Sequence, residues 1–164
     1  TRKKRDKEIE GKDYHFISKD EFNDKILDGD MLEYACYCEN YYGTSKSEVE
    51  KLRNDGYDVI LKIEVEGAKQ VMNKCGDALS IFIVPPSIKI LKERLFNRGT
   101  ESEKELELRL DRAREEINCA VNYDYIVVND DQDKCAEDIY EIICAEKMRS
   151  YRIKNIINEV LKEC

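Results

Sequence analysis

The chain has 164 residues, 28 Lys plus Arg against 36 Asp plus Glu, and a formal net charge of −8. At roughly 150 residues per domain this predicts one domain with one sizeable core, and the acidic balance excludes non-specific nucleic-acid binding, because a phosphate backbone would be repelled. No apolar run has the length of a membrane span, and seven glycines with two prolines leave no low-complexity linker.

In chain order, residues 14–17 read as a short strand. Ser18-x-x-Glu21 is a capping box that opens a helix with Phe22, Ile26 and Leu27 on one face, and Gly29 stops it. Residues 31–38 (MLEYACYC) are strand-like, and residues 40–43 form a turn or strand end. A second box, Ser45-x-x-Glu48, starts a helix carrying Val49 and Leu52, which Gly56 ends. Residues 58–65 (DVILKIEV) are apolar on both faces, as strands of a parallel sheet are, and a short helix follows over residues 67–75. Residues 80–84 form a second buried-type strand, closed by Pro85-Pro86. Ser87 caps a helix with Ile88, Leu91 and Leu95 in register. Arg98-Gly99-Thr100 breaks it, and Thr100 or Ser102 starts a long charged helix to about residue 120. Residues 125–128 are a third apolar strand, followed by a long helix carrying Ile139, Ile142 and Ile143 and a weaker tail to Cys164. Apolar strands alternating with helices predict an α/β domain with a parallel sheet, and the more polar residues 14–57 form a subdomain with its own smaller sheet.

Seven cysteines, an odd number with no C-x-x-C pair, read as reduced thiols in a cytoplasmic protein. With a single histidine, His15, they supply no four-ligand zinc set, so no protein metal site is expected. The glycines never come closer than nine positions, so neither G-x-x-x-x-G-K-[ST] nor G-x-G-x-x-G is present. What remains is a set of arginines: Arg2 and Arg5 in the opening TRKKR, and Arg94, Arg98 and Arg109 around Gly99. Guanidinium forks match phosphate oxygens, so such arginines either converge on a polyanion or form an ordinary solvated face.

The order of these features resembles the guanylate kinase family. T-R-x-x-R, G-K-D-Y-x-F, M-L-E-Y-A and N-Y-Y-G-T are followed by E-V-E-G, P-P-S, R-L-x-x-R-G-T-E-[ST]-E and Y-D-Y-I-V-V-N-D-D, over residues 1 to about 150. The resemblance implies a P-loop nucleoside-monophosphate-kinase-like three-layer α/β fold with a parallel sheet, a small GMP-binding subdomain and a helical lid. Within a single domain, 1–164, it places the GMP subdomain at 14–57, the core at 58–97 and 120–164, and the lid at 98–119. It implies transfer of the ATP γ-phosphoryl group to GMP, giving GDP and ADP, with Mg²⁺ required by the reaction class.

By the same resemblance, Arg2, Arg5, Tyr14 and Tyr42 bind the GMP phosphate, Glu33 accepts the guanine N1–H and 2-amino group, and Thr44 reaches O6. Glu64 is a further GMP-binding residue. Arg94, Arg98 and Arg109 are the catalytic arginines of the donor side, and Arg94, Arg98 and Asn129 bind ATP, with Asn129 lining the adenine site. The sequence departs from the family at Lys62, where an acid is common, and at Glu66, where glutamine is common. Family members carry a strand and a glycine-rich phosphate loop ahead of T-R-x-x-R. This chain opens within that motif, so the expectation is that the first strand and the loop are absent from it and that it is inactive alone. The alternative is a non-catalytic guanylate-kinase-like module that binds phosphorylated partners. GMP and ATP are the expected partners, without nucleic acid or membrane, and an oligomer is left open.

Overall fold

The computed structural model describes residues 1–37, 39–97 and 103–162. The chain falls into two compact units, Thr1–Ala78 and Leu79–Cys164. The α/β class expected from the sequence is present, with one antiparallel hairpin and one parallel strand pair among the described residues.

In the first unit, helix α1 (Lys19–Leu27) begins at the expected capping box: Glu21 N–H donates to Ser18 Oγ at 3.1 Å, and Ser18 N–H donates to Glu21 Oε2 at 2.7 Å. Past its end, Gly29 takes φ 72°, a left-handed conformation that glycine adopts without strain. Strands β1 (Met31–Tyr37) and β2 (Asn40–Ser45) pair antiparallel, with Glu33 opposite Thr44 and Ala35 opposite Tyr42. Phe22 is buried where α1 meets this hairpin, stacked on Tyr41 at 5.4 Å and edge-on to Tyr34 at 6.4 Å. Leu27, expected on the same face, is 84% exposed.

Ser45 ends β2 and also caps α2 (Lys46–Asn54). Asp30 fastens this corner: its carboxylate accepts from Ser47 N–H at 2.9 Å, from the Ser45 hydroxyl and from Lys25 Nζ at 3.0 Å. Helix α3 (Val65–Lys74) completes the unit, and Met31, Leu32 and Val71 are buried there with Phe22.

Two expected strands are absent. Residues 14–17 make only an isolated bridge, Glu10 to Tyr14, because Gly11 at φ 74° turns the chain and donates to the Tyr14 carbonyl at 2.8 Å. Residues 58–64 are not a strand either, and Val65 already belongs to α3. The apolar pattern is real, with Val59, Leu61 and Ile63 half-buried and Ile60 77% exposed. A strand also needs a ladder of hydrogen bonds, and among the described residues none pairs with this segment. Conversely, residues 40–43, read as a turn or strand end, belong to β2.

In the second unit, β3 (Ile81–Val84) and β4 (Tyr125–Val128) pair parallel from Ile81 opposite Tyr125 to Val84 opposite Val128. The connection carries α4 (Ile88–Asn97), capped by Ser87 Oγ accepting from Ile90 N–H at 3.1 Å, and α5 (Glu103–Asn118). The expected break at Gly99 and the helix start at Thr100 or Ser102 lie outside the described residues. After β4, α6 (Gln132–Lys147) opens on Asp131, whose side chain accepts from Lys134 N–H at 2.8 Å, and α7 (Lys154–Lys162) follows. Leu106, Leu110, Ala120, Val127 and Cys135 are buried. Glu146 is buried as well, accepting from the Tyr125 hydroxyl at 2.8 Å and paired with Arg149 at 3.0 Å, which ties the end of α6 to the start of β4.

The Asp30 corner predicts an acid limit to stability. The Ser47 backbone N–H, then the Ser47 and Lys25 side chains, hold the Asp30 carboxyl well below the usual range. A carboxyl depressed in the folded state stabilises it fully above the unfolded value of about 3.9, and that contribution is lost as pH falls toward the folded value. The urea midpoint is therefore expected to fall below about pH 4, and Asp30→Asn to lower the midpoint at pH 7 while flattening that acid slope. An acid slope unchanged in Asp30→Asn would refute the assignment.

Candidate nucleotide-binding site

Near the start of the chain, Arg2 Nη1 donates to Glu8 Oε2 at 2.7 Å and to the Lys3 carbonyl at 2.9 Å, while Nη2 donates to Glu8 Oε1. This is a two-pronged guanidinium–carboxylate fork, and both side chains are only 16% exposed. Glu8 also accepts the Arg5 N–H at 2.8 Å. The Arg2 guanidinium, followed by that backbone N–H, holds the Glu8 carboxyl down at about 2, and the hydrogen bond to Glu8 raises the Arg2 guanidinium above its ordinary range. The Arg2 guanidinium carbon lies 5.3 Å from the Tyr14 ring centroid and 5.5 Å from that of Phe16, within cation–π range. Tyr14 in turn meets Tyr42 edge-on at 6.3 Å. The structure thus brings Arg2, Tyr14 and Tyr42 together, with the Arg5 side chain exposed to solvent.

On the hairpin, Glu33 is 5% exposed. A carboxylate at that depth needs partners, and the residue opposite in register supplies one: Thr44 Oγ1 donates to Glu33 Oε1 at 2.7 Å. β1 is fixed on its other side by α3. Gln70 accepts the Tyr34 N–H at 3.2 Å and donates to the Tyr34 carbonyl at 2.8 Å, imitating a neighbouring strand. One turn further on, Lys74 Nζ donates to the Leu32 carbonyl at 2.7 Å and the Met31 carbonyl at 3.1 Å. Four backbone groups flanking or belonging to the residues beside Glu33 are thereby held by α3 side chains. Glu64, at the N-cap of α3, and Lys62 are both exposed.

In the second unit, Arg94 on α4 donates from Nη1 to the Asn129 carbonyl at 2.6 Å and from Nη2 to the Asp130 carbonyl at 2.8 Å. Asn129 N–H donates to the Val84 carbonyl at 2.8 Å, extending the parallel ladder by one step. The structure therefore joins Arg94 to Asn129 through the backbone. Arg109 sits on the exposed side of α5, and Arg98 lies outside the described residues. Among the described residues no cluster of three His, Cys, Asp or Glu could hold a metal ion. No side chain is therefore assigned to Mg²⁺.

Sequence reasoning missed Glu8, Gln70 and Lys74. Glu8 carried a faint signal, as the carboxylate three residues beyond Arg5 in a basic opening. Gln70 and Lys74 carried only helical spacing, because side chains that bond to backbone leave no motif.

A parallel strand pair with intervening helices in one unit and a hairpin that buries a carboxylate in the other make up a mixed α/β nucleotide-kinase-like fold, as the following likeness shows. The crystal structure of guanylate kinase from Anaplasma phagocytophilum superposes with a TM-score of 0.77 at 34% identity, over 93% of this chain and 74% of that one. The Guanylate kinase family model matches residues 1–146. Guanylate kinase from Clostridioides difficile is 45% identical over 163 residues, covering 99% of this chain and 80% of the relative, and that from Clostridium tetani is 49% identical over 157 residues, covering 96% and 76%. The chain belongs to the guanylate kinase family.

The Glu33–Thr44 bond gives a stability prediction. Thr44→Val keeps the shape but leaves Glu33 Oε1 buried without its donor, which costs about 1–3 kcal/mol, whereas Thr44→Ser keeps the hydroxyl and loses only a methyl group. Urea unfolding of the two variants checks this. A Thr44→Val chain no less stable than Thr44→Ser would show that the bond contributes nothing.

Proposed function

We propose that this chain binds GMP in its first unit, through Glu33 and Thr44 for the base and Arg2, Arg5, Tyr14 and Tyr42 for the phosphate, as the acceptor half of ATP:GMP phosphotransfer. The observation that carries the reading is the buried Glu33 carboxylate. Guanine presents N1–H and a 2-amino donor side by side, and two carboxylate oxygens accept both. Adenine lacks that donor pair, so a desolvated carboxylate facing it would be left unpaired, and AMP is discriminated against. Thr44, bonded to the same carboxylate, can turn its hydroxyl to the guanine O6. Glu64 serves as a further acceptor on the GMP side.

Arg2 and Arg5 supply positive charge for the phosphate dianion, and the phenol hydroxyls of Tyr14 and Tyr42 add directional bonds. Glu8 keeps the Arg2 fork oriented between the rings. On the donor side Arg94, Arg98 and Arg109 neutralise charge spread over the transferred phosphoryl oxygens, and Arg94 and Arg98 with Asn129 hold ATP. In phosphoryl transfer the protein's contribution is mostly such positioning and charge stabilisation. Mg²⁺, which the reaction class calls for, would supply further charge neutralisation when present, and no side chain here is given the role of holding it. The cradle of backbone N–H groups and lysine that would seat the ATP β- and γ-phosphates is not encoded in these 164 residues, which contain no G-x-x-x-x-G-K-[ST].

Two measurements test this. Residues 1–164 alone are expected to form no ADP from ATP and GMP, while the same residues joined to a glycine-rich cradle segment ahead of Thr1 do. Equal turnover by the two would overturn the role given to the cradle, and GMP binding without turnover by the longer chain would favour a binding module. In the longer chain, Glu33→Gln is expected to lower kcat/KM for GMP by on the order of 10²–10³-fold, with ATP binding changed far less. Equal losses for both nucleotides would refute the guanine assignment.

A further inference from the structure

We infer that Gly67 is a specificity-determining residue, whose missing side chain leaves the space in which the Glu33 carboxylate is held for guanine. The inference rests on the assignment of Glu33 to the base and extends it to a residue that touches no substrate.

Gly67 lies in the first turn of α3 and is buried. A glycine there calls for a reason, since it is among the poorest helix formers. Backbone conformation is not the reason: the positive-φ glycines are Gly11, Gly29 and Gly56. Space is. A Cβ at Gly67 would sit 2.5 Å from Glu33 Oε2, closer than real Cβ contacts come, 3.2 Å from Glu33 Cδ, a tight contact, and 3.5 Å from Ile63 Cβ, an ordinary one. The overlap falls on the carboxylate alone. Glu33 Oε1 is taken by Thr44 at 2.7 Å, so Oε2 occupies the one side that a methyl group at Gly67 would fill.

Gly43 provides the contrast. A Cβ there would overlap the Met31 side chain, come within 2.6 Å of the Glu33 carbonyl oxygen and reach 3.0 Å from Tyr34 Cβ, so strand backbone would have to move. At Gly67 only the end of one flexible side chain has to move, so Gly67→Ala keeps the fold. What it loses is the place of Oε2: Oε1 keeps its bond to Thr44, and the displaced Oε2 no longer meets the guanine 2-amino group. At Gly76 nothing lies within 4 Å of an added Cβ, which makes Gly76→Ala a neutral control.

The experiment uses the cradle-bearing chain and measures dissociation constants for GMP and for inosine 5′-monophosphate, which keeps N1–H but has no 2-amino group. Gly67→Ala is expected to weaken GMP by about tenfold or more and the inosine nucleotide by less than about threefold, because one charge-assisted hydrogen bond is lost from the former alone. Its thermal midpoint stays within about 3 °C of the parent, as does that of Gly76→Ala, which leaves both affinities unchanged. A merely structural role for Gly67 would weaken both nucleotides alike, and an unchanged GMP-over-inosine preference in Gly67→Ala overturns the inference. Glu33→Gln separates the two ideas: if it too keeps the preference, the guanine assignment falls, and if it alone abolishes the preference, only the role of Gly67 falls. Should Gly67→Ala fail to fold, the inference requires that Glu33→Ala/Gly67→Ala fold as well as Glu33→Ala, and failure of the double variant overturns it.

Discussion

A two-stranded hairpin is marginal in water, because each strand has one edge of unpaired N–H and C=O groups. The first unit depends on how that is resolved at β1. Helix α3 takes the place of a third strand with two side chains: Gln70 pairs with both backbone groups of Tyr34, and Lys74 bonds the carbonyls of Met31 and Leu32. Glu33 lies between these anchors, so its buried carboxylate is carried on a length of backbone with little freedom to drift. The register of the hairpin then decides the rest. Glu33 and Thr44 face each other across it, just past a register irregularity between Met31 and Glu33. Fixing one edge therefore fixes a pair of functional groups.

The same economy recurs in the second unit, where single side chains close gaps between elements distant in sequence. Arg94 spans 35 and 36 positions to reach the two carbonyls after β4, and Glu146 spans 21 to reach Tyr125. Few large apolar side chains are deeply buried there, and Ile126 and Val128 on β4 are each about half exposed. Polar ties of this kind are directional, whereas apolar burial alone specifies position loosely.

Local rules carried much of the fold into the sequence. Ser18 and Ser45 act as the caps their spacing indicated, and the apolar runs at Ile81–Val84 and Tyr125–Val128 pair as parallel strands. Residues 58–64 show the limit of such reading: composition reports burial, while a strand is defined by its neighbour, and hydrophobicity says nothing of whether one is there. Of the proposed site, Arg2, Tyr14, Glu33, Tyr42 and Thr44 were singled out only through the order of short motifs, since each alone is an ordinary residue in a chain with 39% charged residues. Glu8 was illegible for the same reason, being one carboxylate among 36 acidic side chains. Gly67 illustrates a further class, in which the information is the absence of an atom and emerges only when Glu33 is placed in space.

The fork between Arg2 and Glu8 separates two length scales of ionic strength. At 0.15 M salt the Debye length is about 8 Å, so the repulsion between a chain of net charge −8 and an approaching anion is damped well before contact. The Arg2–Glu8 contact lies far inside that length, between side chains that are each 16% exposed, where screening acts less than between fully exposed charges. Rising salt thus damps the chain's long-range field more than it weakens the Arg2–Glu8 fork. The two answer to ionic strength on different scales.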